Sequence, residues 1–297
     1  MNSATYLNGT AVTTHTQQDA SQTCIICSQK TSYYFSKTYP TYPGSPFRGD
    51  LKVDYLKCDG CGFVLSKTHA QMSEDEWSQL NTSWHHHFEQ SPESCTTNQP
   101  SYADQALALK LLSENGIISI NYTLDYAAGY GTLAKVLKKY FDIDISIHDK
   151  YVKDDKSGLT YVQDNELKKY KLVVNSAMFE HVLERKHLNF VNDLVDFDGV
   201  LMLHTVVCER VPPDPNWFYI TPMVHTAFHT NKSMEILMKQ WNYTASIYSP
   251  QAKCWFLFKA GSPVISNLDK IVESINRELQ TNYFYYKDGF VDYWKGF

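Results

Sequence analysis

The 297-residue sequence lacks any apolar run approaching the roughly 20 residues of a membrane span; its best stretch, 200–208, is short and contains His204. It also lacks a basic segment followed by an apolar one at its start, since the first Lys is Lys30, so a secretory leader is not expected. A surplus of positive charge is missing too. Lys plus Arg number 27 against 32 Asp plus Glu, a net charge of −5, which disfavours binding to a phosphate backbone. Nor is there an even set of cysteines: the 7 present argue against a secreted disulfide framework. These absences lead us to expect a cytoplasmic protein with neither membrane nor nucleic acid as partner. What it has in excess is rings, with 14% aromatic residues including 21 Tyr and 15 Phe. They serve core packing or a ligand surface.

The length suits about two domains, or one α/β core with appendages. Residues 1–23 hold few large apolar side chains and are expected to form a disordered tail. Residues 24–100 read as a small module, a helix-permissive stretch 72–88 and a linker, the module broken by Pro40, Pro43, Gly44, Pro46 and Gly49. Trp84 precedes His85, His86 and His87, expected as a solvated polar run, with a reach into a cleft as the alternative.

Cys24-Ile-Ile-Cys27 and Cys58-Asp-Gly-Cys61-Gly place four thiolates on two tight turns, the donor set of a structural zinc site. Buried free thiols or a redox pair are the alternatives. Gly60 and Gly62 suit the positive backbone angles of such turns. Four sulfurs would fill the coordination sphere, so this metal should hold the module together rather than do chemistry. Cys95, Cys208 and Cys254 have no partner by spacing and read as ordinary thiols.

From residue 101 helices and strands alternate. Ser101 with Asp104 resembles a capped helix start, followed by Ala103, Leu107 and Leu111 at helical spacing and a stop at Gly116. Leu133, Val136, Leu137 and Tyr140 repeat as a helix, and Ile143, Ile145 and Ile147 alternate as a strand. Further elements are expected at 171–175, at Leu188, Val191 and Val195 (helix), at 199–205, at Met234, Leu237, Met238 and Trp241 (helix), at 245–248 and at 254–258. The order predicts an α/β fold, a Rossmann-like doubly wound and mostly parallel sheet over 101–260. Residues 261–297 follow as a helical extension with an aromatic tail that includes Tyr283, Phe284, Phe290, Tyr293, Trp294 and Phe297. Such a tail should pack on the domain, on a second subunit or, by stacking on a carbohydrate, at the acceptor site.

Residues 123–133 run from a strand through small residues into an amphipathic helix, a turn whose backbone could approach a ligand closely. With only Gly129 and Gly131, the dinucleotide fingerprint is incomplete. Asp125-Tyr-Ala127-Ala-Gly129-Tyr-Gly131 resembles instead the first-strand motif of class I S-adenosylmethionine-dependent methyltransferases, with Ala127 where the family's first glycine stands. The resemblance extends over about 101–260. It implies that Asp149, with Lys150 beside it, holds the ribose hydroxyls and that Asp164 with Asn165 contacts adenine. It also implies that Ala177 and Glu180, in Ala177-Met-Phe-Glu180-His181, line the cofactor. A four-cysteine module before such a domain resembles the arrangement of sugar and natural-product methyltransferases. That likeness implies a small polar acceptor, a sugar or nucleotide-linked sugar, methylated at oxygen or carbon.

Methyl transfer requires an aligned acceptor and often a proton acceptor, a role suited to neutral histidine. His181, His204, His225 and His229 fall near expected strand ends and are the candidate bases, each with a structural role as its alternative. A His/Glu metal site that acidifies a hydroxyl is a further option. The segment 208–219, rich in proline and aromatics, looks like a substrate-covering loop. Two rival readings stand beside this one: an RNA methyltransferase whose zinc module grips the nucleic acid, and a non-catalytic zinc-containing binding protein.

Overall fold

The computed structural model describes residues 23–89, 100–152 and 158–292. Most of the expected tail, Cys95 with the linker segment 90–99, and Tyr293, Trp294 and Phe297 lie outside the described residues.

Strands β1 (Thr31–Tyr39) and β2 (Leu51–Cys58) form an antiparallel hairpin, and β3 (Val64–Ser66) returns beside β2 after the second cysteine turn. The period of two turns Phe35, Tyr39, Val53 and Tyr55 to one buried face. Two helices follow, the short α1 (Lys67–Ala70) and α2 (Glu74–Glu89). Rings from α2, Trp77, Trp84 and Phe88, close over that face.

Helix α3 (Tyr102–Glu114) ends where Gly116 turns left-handed at φ 70° and the Ile117 N–H reaches the Leu112 carbonyl at 2.9 Å. Two details differ from expectation. Ser101 makes no side-chain cap, and the buried face is Gln105, Ala106, Ala108, Leu109 and Leu112. Ala103 is exposed, and Leu107 and Leu111 are only half-buried. Both stripes satisfy helical spacing, so periodicity could not choose between them.

Strand β4 (Thr123–Tyr126), helix α4 (Thr132–Phe141), strands β5 (Ser146–His148) and β6 (Tyr170–Ser176), helix α5 (Arg185–Asp193) and strand β7 (Val195–His204) come next. Val195, expected on a helix, opens β7, where a β-branched side chain fits the pleat. Strands β8 (Val207–Cys208) and β9 (Ala227–Thr230) lead into α6 (Asn231–Gln240), β10 (Tyr243–Ser249), β11 (Cys254–Lys259), α7 (Leu268–Leu279) and β12 (Tyr285–Asp288).

The larger sheet has the order β12-β10-β11-β7-β6-β4-β5. The expectation of a mostly parallel sheet is corrected here. Pairings β5/β4, β4/β6 and β6/β7 are parallel, whereas β7/β11, β11/β10 and β10/β12 are antiparallel, so the sheet is mixed. A short reversal such as 250–253 can join only antiparallel neighbours, which is why the alternation of helix and strand breaks down there. Both faces are covered. Leu188, Val191, Met234 and Leu237 of α5 and α6 pack on one, and Leu109, Leu137 and Val272 of α3, α4 and α7 on the other.

The smaller sheet, β1-β2-β3-β9-β8, joins the module to strands supplied by the segment after β7. The cysteine module is therefore knitted into the same body rather than appended to it. The described part of the aromatic tail becomes β12 and its flanks, with Tyr283, Phe284 and Phe290 buried. Among the described residues no helix is long and apolar enough to cross a membrane.

Candidate functional site

The four expected cysteines converge. Their sulfurs all lie within 4.8 Å of one another, with Cys24 to Cys61 at 3.7 Å and Cys27 to Cys58 at 3.4 Å. A tetrahedron with metal–sulfur bonds of about 2.3 Å has edges of about 3.8 Å, so the donor set and spacing fit zinc. Backbone N–H groups of Ile26, Gly60 and Cys61 point at the sulfurs of Cys24 and Cys58 at 3.3–3.4 Å, which favours thiolates. Gly62 has the expected positive φ, 75°, but Gly60 does not. A Cβ on Gly60 would instead meet Gln29 Cγ at 2.8 Å, so close approach is its constraint.

The second centre lies at the carboxyl ends of β4 and β6. The chain leaves β4 to one side for β5 and returns on the other for β6, which makes β4 the switch point where an open α/β sheet forms its crevice. There Ala127, Gly129 and Gly131 all take positive φ, 61°, 54° and 67°. Across the crevice Ala177, following β6, does so at 65°. Two alanines held left-handed at one crevice are local strain of the kind that collects at functional sites. A Cβ on Gly131 would collide with Leu159 and Ile147, whereas one on Gly129 would meet nothing within 4 Å. Gly131 is thus glycine for packing, and Gly129 faces open space.

Ala127→Gly should stabilise the fold by about 1 kcal/mol, the left-handed penalty of alanine less the entropy glycine adds to the unfolded chain. Chemical denaturation measures it, and a loss of stability would show that the Ala127 methyl has a packing role.

Asp149 holds the turn. One carboxylate oxygen accepts from Gly129 N–H at 2.8 Å and the other from the N–H groups of Tyr151 and Val152, each at 2.8 Å. Asp164 is exposed, 3.4 Å from His148 Nε2, and the His148 ring stacks on Tyr126 at 5.2 Å. Asn165 is exposed beside it. Lys150 reaches Glu74 of α2 at 3.6 Å.

Asp125 is buried at the end of β4, and burial, reinforced by Asp149, pushes its carboxyl up to about 8. The folded chain then keeps a proton that the unfolded chain releases near pH 4, so the contribution to stability is full below about pH 4 and is lost as pH rises toward 8. Asp125→Asn removes this dependence. Its stability relative to the parent should climb by a few kcal/mol between about pH 5 and about pH 9 in urea unfolding; a pH-independent difference would contradict the assignment.

Glu180, His181 and His225 form a third group, their ligand atoms within 4.8 Å of one another. Glu180 follows β6 and is buried; its oxygens accept from Tyr219 Oη at 2.7 Å and Thr205 Oγ1 at 3.1 Å. Burial raises it to about 7, against those two hydrogen bonds. His225 Nδ1 donates to the Tyr219 carbonyl at 2.7 Å, and burial lowers its pKa to about 4. Burial also holds His181 well below its usual value. Its ring is 5.0 Å from His225 and 5.4 Å from His85.

His85 therefore belongs to this cluster, correcting the solvated-run expectation; His86 is exposed and His87 packs on Tyr42. The other two candidate bases sit elsewhere. His204 Nδ1 bonds the Lys253 carbonyl at 2.7 Å, and His229 is fully buried between Phe63 and Phe179. The segment 208–219 is pinned to the module, with Tyr34 Oη on the Val211 carbonyl at 2.7 Å and Lys37 Nζ on that of Pro215 at 2.5 Å. The roles of Thr205, Tyr219 and His85 carry no spacing signal, because each reaches the cluster from a distant part of the chain.

No family model matches the chain, and no curated protein does. Solved structures similar to it include a candidate O-methyltransferase from Nostoc punctiforme, 12% identical over 56% of this chain and 63% of that one, with a TM-score of 0.37. The chain thus spans less than two thirds of that protein. An O-methyltransferase family protein from Burkholderia thailandensis is 16% identical over 66% of this chain and 71% of its own, with a TM-score of 0.38. A cyclopropane synthase from Mycobacterium tuberculosis is 14% identical over 73% and 86%, with a TM-score of 0.36.

Proposed function

We propose that the chain transfers a methyl group from S-adenosylmethionine to a small polar acceptor. Asp125, Ala127, Gly129, Gly131 and Asp149 would hold the cofactor, and Glu180, His181 and His225 would act on the acceptor. The observation that carries this reading is the strained, glycine-containing turn at the switch point, its sequence resembling the methyltransferase motif. Ala177 and Glu180 follow β6, the strand paired beside β4. Asp164 and Asn165 approach from the loop beyond β5 as candidate adenine contacts.

The reaction is an in-line displacement. Bound there, S-adenosylmethionine would supply a sulfonium methyl whose carbon–sulfur bond breaks, leaving a neutral thioether, as the acceptor's lone pair forms the new bond to carbon. The acceptor's proton passes to a neutral imidazole, His225 or His181. A hydroxyl-rich acceptor, a sugar or nucleotide-linked sugar, is the class implied by the resemblance of the four-cysteine arrangement to sugar and natural-product methyltransferases. The net charge of −5 disfavours the RNA alternative.

With a methyl-labelled donor and a panel of nucleotide sugars, transfer is expected for the parent and a fall of about 100-fold or more for His225→Ala. Turnover unchanged in both His181→Ala and His225→Ala would remove the imidazoles as proton acceptors.

A further inference from the structure

We infer that Glu180, His181 and His225 form a second metal site, for a divalent ion of the zinc class, separate from the four-cysteine cluster. The inference deepens the reading above by replacing direct proton transfer to an imidazole with acidification of the acceptor by the ion, the proton then passing to solvent, and rests on it for that role alone. Binding of the ion is independent of it.

Three observations carry it. Two imidazoles and a carboxylate offer ligand atoms within 4.8 Å of one another, more than a general base requires. The ligands are also oriented from outside. A carbonyl can only accept, so the 2.7 Å contact with Tyr219 O places the proton of His225 on Nδ1 and leaves Nε2 with its lone pair. Each oxygen of Glu180 takes one hydrogen bond, from Tyr219 or Thr205, and keeps further acceptor capacity. Finally, His181 Nδ1 is shut off from solvent with no hydrogen-bond partner, a cost a bound cation would offset.

The segments holding the ligands are tied together: Thr226 N–H meets the Glu180 carbonyl at 2.7 Å and Thr226 Oγ1 the Val182 carbonyl at 3.0 Å. His85 stands next to His181 from α2. Two imidazoles and one carboxylate suit zinc or cobalt and leave a coordination position open, whereas the tetrathiolate cluster is closed. The class of acceptor that follows is one presenting an oxygen to the ion, a hydroxyl or an enolisable carbonyl.

The test is a cobalt titration of the full-length protein, read by absorbance and by metal content. The expected result is about two ions per chain. One gives the strong thiolate-to-cobalt absorption, and the other only weak visible bands from nitrogen and oxygen ligands. In His181→Ala and His225→Ala the weak bands and one ion should vanish while the thiolate absorption stays. His225→Gln, which can keep the contact with Tyr219, repeats the test should the alanine variant fail to fold. Saturation of the parent at one ion, all of it thiolate-bound, overturns the site. Binding of S-adenosylhomocysteine is measured on the same samples. A second ion without nucleoside binding supports the site and removes the methyl-transfer reading; one ion with nucleoside binding removes the site alone.

Discussion

Cys58→Ser, or chelation of the metal, is expected to destabilise the whole chain and not only its first 60 or so described residues. A structural zinc in a small module supplies roughly 10–16 kcal/mol of apparent binding free energy at neutral pH, most of which becomes folding free energy. The module's turns carry much of the contact with the rest of the protein. Arg185 of α5 donates to the carbonyls of Ile25 and Ile26 at 3.3 and 3.1 Å, and Gln240 of α6 to that of Ile26 at 3.0 Å. Thr230 of β9 donates to the Cys61 carbonyl at 2.6 Å. Releasing the sulfurs frees both turns, then β3, then β9, which begins two residues after His225. Loss of zinc should therefore lower the melting temperature by well over 10 °C, since a few kcal/mol shifts a domain of this size by several degrees each. It should also abolish activity without any change at the crevice. Calorimetry with and without chelator measures the shift, paired with elemental analysis. A melt unchanged after the metal is shown to be gone would disprove the structural role.

Asp149→Ala should remove most of the affinity for S-adenosylhomocysteine. Its carboxylate accepts from three backbone N–H groups, so the variant loosens the turn as well as losing the anion proposed to meet the ribose. Two charge-assisted hydrogen bonds at about 1.5–3 kcal/mol each predict a loss of at least about 100-fold. Asp149→Asn separates the effects. It can keep an acceptor oxygen for Tyr151 and Val152, so the turn should survive while affinity falls. Equal affinity in the parent and Asp149→Asn would exclude an anionic contact.

Local patterns made several of these features legible. The cysteine pairs stand close in sequence, and the spacing that predicts a tetrahedral site is the spacing the structure brings to 3.4–3.7 Å. The turn from Asp125 to Gly131 was equally readable, because strand, small residues and amphipathic helix are contiguous. What stayed hidden depends on distant pairing. Val64 pairs with Phe228, which merges the module with the larger body, and no period in either segment announces it. Tyr219 reaches Glu180 across 39 residues, and His85 reaches His181 from α2. The face of α3 was ambiguous because two stripes share helical spacing. The antiparallel half of the larger sheet escaped because a strand's own sequence does not state its neighbour's direction.

As proposed, the crevice at the end of β4 takes S-adenosylmethionine rather than a dinucleotide. Isothermal titration of the zinc-replete protein with S-adenosylhomocysteine, and separately with a nicotinamide dinucleotide, tests it most directly. Saturable one-to-one binding of the first and none of the second is expected. Heat from the dinucleotide alone, or from neither, would contradict it.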